Sequence, residues 1–144
     1  MKVSDILGHK GNNVVTVRSD DTIDTFVHKL NLERIGAAIV SDDGSSVEGI
    51  ISERDVARGL AEYRKELLAM PVSKLMTRSV LTCSPEDSVK DVMELMTQRR
   101  VRHLPVMAEG KLAGVVSIGD VVKNRLEDMQ METNVLRDYV IAQN

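Results

Sequence analysis

The chain has 144 residues, 42% of them hydrophobic and 28% charged, enough apolar side chain for one core or for two very small ones sharing a surface. A formal net charge of -3, with basic residues dispersed except at Arg99, Arg100 and Arg102, excludes the cationic face that grips nucleic-acid phosphates. With no Trp, one Phe and two Tyr the interior falls to Leu, Val, Ile and Met, and the single Cys excludes an internal disulfide and any multi-Cys metal site.

The N-terminal MKVSDILGHK lacks the apolar core of a secretory leader. No apolar run approaches the roughly 20 residues of a membrane span, so the expected setting is the cytoplasm, with no membrane partner. Residues 14–17 read as a short β-branched strand, ending at Ser19 as the expected N-cap of a helix. Ile23, Phe26, Val27 and Leu30 then share one face at helical spacing. An apolar strand over 35–40, a turn at Asp42-Asp43-Gly44 and a second strand over 49–52 predict a hairpin. A second helix opens at Ser52, with Glu62-Tyr63-Arg64-Lys65-Glu66 as a solvated face.

The same order then begins again. Val14-Val15-Thr16-Val17 recurs as Val80-Leu81-Thr82-Cys83, Asp21-Thr22-Ile23 as Asp87-Ser88-Val89, and residues 35–40 as Val101-Arg102-His103-Leu104-Pro105-Val106. Gly49-Ile50-Ile51-Ser52 returns as Gly114-Val115-Val116-Ser117, with Asp55 and Asp120 in register. The offset is 66 residues and drops to 65 after a turn shortened to Glu109-Gly110. Val3-Ser4-Asp5-Ile6-Leu7 also matches Val72-Ser73-Lys74-Leu75-Met76, at an offset of 69, so the insertions fall in loops. In the second unit Ser84 is the expected N-cap, Pro85 the first helical residue, and Val89, Val92, Met93 and Met96 the buried face. Another helix opens at Ser117.

Each unit reads as strand–helix–strand–strand–helix, too small to bury both faces of its sheet alone. The expected fold is therefore α/β (α+β): two β-α-β-β-α repeats, 1–65 and 66–126, packed about a pseudo-twofold axis. A C-terminal helical tail follows over 127–144. Across that last helix Val122, Leu126, Met129, Leu136 and Val140 need a partner surface, the chain's own core or a second chain.

No nucleophile–base pair, Gly-rich phosphate loop or carboxylate dyad stands out, so no catalytic residue is assigned. His9, His28 and His103 lack metal-ligand spacing, and no metal is expected. Cys83 reads as a small buried hydrophobe, Met93, Met96 and Met107 as core filler, and Arg99-Arg100 as favourable charge at a helix C-terminus, with a phosphate or partner contact as the alternative.

The chemistry concentrates in the doubled Ser-x-x-Asp. Ser ends a strand at a helix N-terminus, where unpaired N–H groups and the helix dipole favour an anion such as phosphate. Asp, one turn into the helix, can accept both hydroxyls of a ribose. The same four residues also suit a capping box worth about 1 kcal/mol with no ligand at all. Arg54 adds charge at the first motif. Gly119 adds none at the second but permits close backbone approach, which predicts unequal affinities or different ligands.

Gly49-Ile50-Ile51-Ser52-Glu53-Arg54-Asp55 and Gly114-Val115-Val116-Ser117-Ile118-Gly119-Asp120 together resemble the most telling motif of the cystathionine β-synthase (CBS) domain family. Arg102-His103-Leu104-Pro105-Val106 is similar to its second-strand signature, and the resemblance spans nearly the whole chain. It implies a non-catalytic, stand-alone pair, similar to small bacterial CBS-pair proteins, with no obligatory cofactor. The implied ligand is an adenine nucleotide (AMP, ADP, ATP or NAD) or S-adenosylmethionine, bound in clefts between repeats. NAD suits a cleft along which it can extend. The slot beside each Asp is then lined by the other repeat's first strand: Val14 and Ile35 for Asp120, Val80 and Val101 for Asp55. Arg54, Arg102 and His103 are the implied phosphate contacts. The expected function is a homodimeric sensor read by an unidentified downstream protein. The alternative is a purely structural dimerisation module whose Asp residues are only caps.

Overall fold

The computed structural model describes residues 1–143. Helix α1 (Val3–Lys10) is followed by β1 (Thr16–Val17), α2 (Ile23–Glu33), β2 (Ala37–Val40), β3 (Gly49–Ser52) and α3 (Glu53–Tyr63). Short 3-10 turns over Arg64–Ala69 and Val72–Lys74 lead to α4 (Val89–Arg99), β4 (His103–Ala108), β5 (Lys111–Ser117) and α5 (Ile118–Gln143). The fold is mixed α+β, two units of one plan.

In the first unit β1 runs parallel to β2, and β2 antiparallel to β3. In the second, β4 and β5 pair antiparallel, and the expected strand over 80–83 shrinks to one parallel bridge, Cys83 to Val106. The cause is a single residue. In register, Ile39 donates its N–H to the Val15 carbonyl at 3.4 Å; its counterpart is Pro105, which has no N–H to give Leu81. Cys83 keeps its two bonds, accepting from Met107 at 2.8 Å and donating to Pro105 at 3.0 Å.

The long helices start later than Ser19 and Ser84 predict. Asp21 and Asp87 fold back to accept the amides of Arg18 and Ser84 at 2.9 and 2.8 Å, closing a turn first. Thr22 and Ser88 then cap α2 and α4, accepting from Thr25 and Asp91. Pro85 lies in that turn and not at the first helical position. The expected helical face over 62–66 is also corrected: α3 stops at Tyr63, and Arg64 turns to φ 51 to begin the 3-10 segment.

The core is two clusters whose members trade places along the chain. Val3, Ile6 and Leu7 of α1 pack with Cys83, Val89, Val92, Met96 and Leu104 of the second unit. Leu67, Val72 and Met76, from the linker, pack with Val17, Ile23, Phe26 and Ile51 of the first. Matching backbone bonds fix the exchange: Val3 N–H donates to Asp87 and Val72 N–H to Asp21, at 2.9 and 2.8 Å. Likewise Val89 donates to Met1 and Ile23 to Met70, each at 2.9 Å. Each small sheet thus gains a lid from a segment that precedes the other unit in sequence, and burial per unit rises accordingly. The last helix is continuous through 126 and 127, so the tail is the outer end of α5 and not a separate element.

Candidate functional site

Both Ser-x-x-Asp turns are held by the same backbone bond. The Glu53 amide donates to the Gly36 carbonyl at 3.0 Å, and its counterpart Ile118 donates to Arg102 at 2.8 Å. Each strand-to-helix corner is therefore pinned to the start of its neighbouring strand. Ser52 donates its N–H and its hydroxyl to Asp55 Oδ2, at 2.9 and 3.2 Å. Ser117 N–H donates to Asp120 Oδ2 at 2.9 Å, and Asp120 N–H donates to Ser117 Oγ at 3.1 Å.

These are capping boxes, and they use one carboxylate oxygen of each Asp. The other, Oδ1, accepts no hydrogen bond in either repeat among the described residues. Capping and ligand contact thus occupy different atoms of the same side chain.

Asp55 opens onto a cleft of about 250 Å³ between the units. Ser52, Asp55 and Ile50 form one wall, and Val101, Arg102 and His103 of the second unit form the other. Arg54 and Arg58 reach it from α3 and Arg100 from the end of α4. Val80 does not line it: its N–H is turned back to the Arg78 carbonyl at 3.1 Å, in the stretch that Pro105 prevents from pairing.

The second cleft, about 120 Å³, has walls of Val14, Ile35, Ala37 and Val115, and His103 borders it too. Asp120 adjoins this space through Lys10, whose Nζ donates to Asp120 Oδ2 at 2.6 Å and to the Val115 carbonyl at 3.1 Å. Burial alone would raise the Asp120 carboxyl, but the bonds from Lys10 and from Ser117 outweigh it and hold the group below its ordinary value. Burial pushes the His103 imidazole below its ordinary value, and the Lys10 ammonium adds to the effect.

Of the residues singled out by sequence, Ser52, Arg54, Asp55, Val101, Arg102 and His103 meet at the first cleft. Val14, Ile35 and His103 meet at the second. Ser117 and Gly119 stay on the cap behind it. Added at Gly119, a Cβ would find only Ser117 Oγ, at 3.6 Å, so space there does not require glycine. Sequence reasoning missed Lys10 and Arg58, and it weighed Arg100 as a phosphate contact only as the alternative to helix-end charge. Arg58 was findable, lying one helical turn beyond Arg54; Lys10 was not, because it reaches its site only through the exchange of α1.

The remaining candidates sit elsewhere. Burial, with the Asp87 carboxylate, pushes the Cys83 thiol up to about 12, so it stays protonated inside the second cluster. Met96 is fully buried and Met93 packs beside it. Among the described residues no group of three or more His, Cys, Asp or Glu converges as metal ligands, and no helix is long and apolar enough to cross a membrane.

Known proteins share this arrangement. The CBSX3 protein of Arabidopsis thaliana, a mitochondrial CBS domain-containing protein, is 32% identical over 96% of this chain and 71% of its own length. The crystal structure of the CBS-domain containing protein ATU1752 from Agrobacterium tumefaciens superposes with a TM-score of 0.82. It is 42% identical and covers 86% of this chain and 92% of that one. The CBS domain pair of protein MJ0100, solved in complex with 5-methylthioadenosine and S-adenosyl-L-methionine, gives a TM-score of 0.76 at 25% identity, covering 85% and 98%. The model of the CBS domain matches twice, over residues 3–62 and 72–127, and the chain belongs to the CBS domain family as a tandem pair.

Proposed function

We propose that this protein is a regulatory module that binds adenine nucleotides in the clefts between its repeats, without chemical change to the ligand. The observation that carries the reading is the use of Asp55. Its cap consumes Oδ2 alone, while the side chain lines a cleft whose far wall is apolar Val101 and whose rim is arginine. That set suits a nucleoside phosphate: an acceptor for ribose, an apolar slot for the base and cations for phosphate. A similar CBS pair solved with 5-methylthioadenosine and S-adenosyl-L-methionine supports the adenosine part of that ligand; neither of those two carries a phosphate.

The regulatory part follows from where the clefts lie. Each has walls from both units, so a ligand that prefers one spacing of the units shifts their arrangement. The setting we infer is the cytoplasm, and the assembly a homodimer through α5. A downstream protein reading that geometry completes the proposal.

Calorimetry and thermal shift with AMP, ATP, NAD and S-adenosylmethionine test it, on the wild type, Asp55→Asn and Asp120→Asn. Binding to the wild type that weakens about tenfold or more in one variant is expected, as for loss of a charged hydrogen-bond acceptor. A melting point unmoved by all four ligands, with both variants losing only cap-sized stability, leaves the protein a structural module.

A further inference from the structure

The duplication gives the two clefts one scaffold, yet their charges differ. In register, Arg54 of the first cleft corresponds to Gly119, and Arg102 to Gly36. The repeat therefore does not supply the second cleft with counterparts of these two guanidinium groups, and no arginine lines it.

Four arginines line the Asp55 cleft: Arg54 and Arg58 from α3, Arg100 from the end of α4, and Arg102 from the approach to β4. Glu53 and Asp55 are the only carboxylates beside them. None of the four makes an ion pair among the described residues. Arg54 and Arg58 are one turn apart on one helix, a like-charge spacing that weakens the helix. Arg100 is the left-handed C-cap of α4, as Arg34 is of α2, and its charge suits a helix end, but that accounts for only one of the four. An anion would engage all of them.

The Asp120 cleft is the opposite. Its one lysine or arginine is Lys10, already committed to Asp120 at 2.6 Å, and its volume is about half that of the first. Nothing there awaits a chain of phosphates.

We propose that the two clefts divide ligands by phosphate number. The Asp55 cleft reads a nucleotide with two or more phosphates, and the Asp120 cleft takes a nucleoside or a monophosphate. The proposal rests on the nucleotide reading above. A single phosphate accepts one or two bidentate guanidinium groups, whereas four guanidinium groups from two segments suit anionic oxygens spread along a chain.

The test is calorimetric titration of the full chain with adenosine, AMP, ADP and ATP at low and high salt. It uses the wild type, Asp120→Asn to weaken the second cleft, and the double variant Arg58→Gln/Arg100→Gln. In Asp120→Asn, affinity should climb at least about tenfold from AMP to ATP, and the climb should shrink at high salt. In the double variant the ATP-to-AMP ratio should fall to within about threefold, with adenosine affinity unchanged. AMP binding as tightly as ATP in both the wild type and Asp120→Asn overturns the division and leaves the nucleotide reading standing. A ratio that survives in the double variant also overturns it. If none of the four ligands binds the wild type, the nucleotide reading falls, and this inference with it.

Discussion

His103 is the titratable residue, beside Ile50, where both clefts meet, and its protonation should report their occupancy. Its folded pKa lies below the ordinary 6.5, so between the two values the unfolded chain holds a proton that the folded chain does not. Stability therefore falls as pH drops below about 6.5, because there the unfolded state binds more protons. A bound phosphate acts the other way, favouring the imidazolium and drawing in a proton. Nucleotide binding near pH 6 should thus take up protons, seen as calorimetric heats that vary with the ionisation enthalpy of the buffer. His103→Gln should abolish that uptake and flatten the acid-side loss of stability. Uptake of the same size in the variant assigns the proton to another group. Asp120 works in the same direction lower on the pH scale: its lowered carboxyl stabilises the fold above the ordinary 3.8, and that contribution disappears as pH falls through its folded value.

At the scale of the elements, the glycines of the repeated motif separate scaffold from site. A Cβ on Gly49 would lie 2.7 Å from the Thr77 carbonyl oxygen and 2.8 Å from Met76 Sδ. That oxygen accepts from Ile50, and Thr77 donates back at 2.9 Å, so it cannot retreat without opening the seam that holds the linker. Gly49→Ala should cost about 1–3 kcal/mol in chemical denaturation. Gly119→Ala, in the first turn of α5 with open space around it, should stabilise by up to about 1 kcal/mol. Equal losses in both variants would refute this account of the motif. The motif was legible as a repeat because a strand, a corner and a helix leave fixed periods in sequence. What it packs against was not legible. Residues 3–7 and 72–76 resemble each other, but nothing in either states which cluster it enters, and that choice alone brings Lys10 to Asp120. Strand 80–83 failed for a readable reason: Pro105, already present in the repeat alignment, removes one donor. Arg58 stands at helical spacing from Arg54 and Arg100 within the one dense basic group, but neither pattern says which of these side chains the fold turns to a cleft.

The whole molecule leaves the outer half of α5 as its longest unpartnered apolar face. Leu126, Leu136 and Val140 are 61%, 65% and 57% exposed, too much apolar surface for a helix end meant to stand alone in water. Val122, Leu126, Met129, Thr133, Leu136 and Val140 follow steps of four and three residues, the seam of a two-stranded coiled coil. Glu132 and Arg137 flank the seam with opposite charges at the spacing that pairs one helix with a parallel partner. The homodimer we propose forms through this helix, with the second copy in parallel. Leu136→Glu/Val140→Glu should weaken the dimer about a hundredfold or more in light scattering. The denaturation of the subunit itself should hold steady, because neither residue belongs to a core cluster. Glu132→Lys should weaken the dimer less, and Glu132→Lys/Arg137→Glu should restore it, since the pair is reversed and not removed. A dimer indifferent to the double glutamate variant would move the interface to the other apolar groove, of about 900 Å³, where Leu60 and Leu68 stand exposed beside Tyr63. The seam would link assembly to the clefts directly, because α5 begins at the same Ser117 corner that holds Asp120.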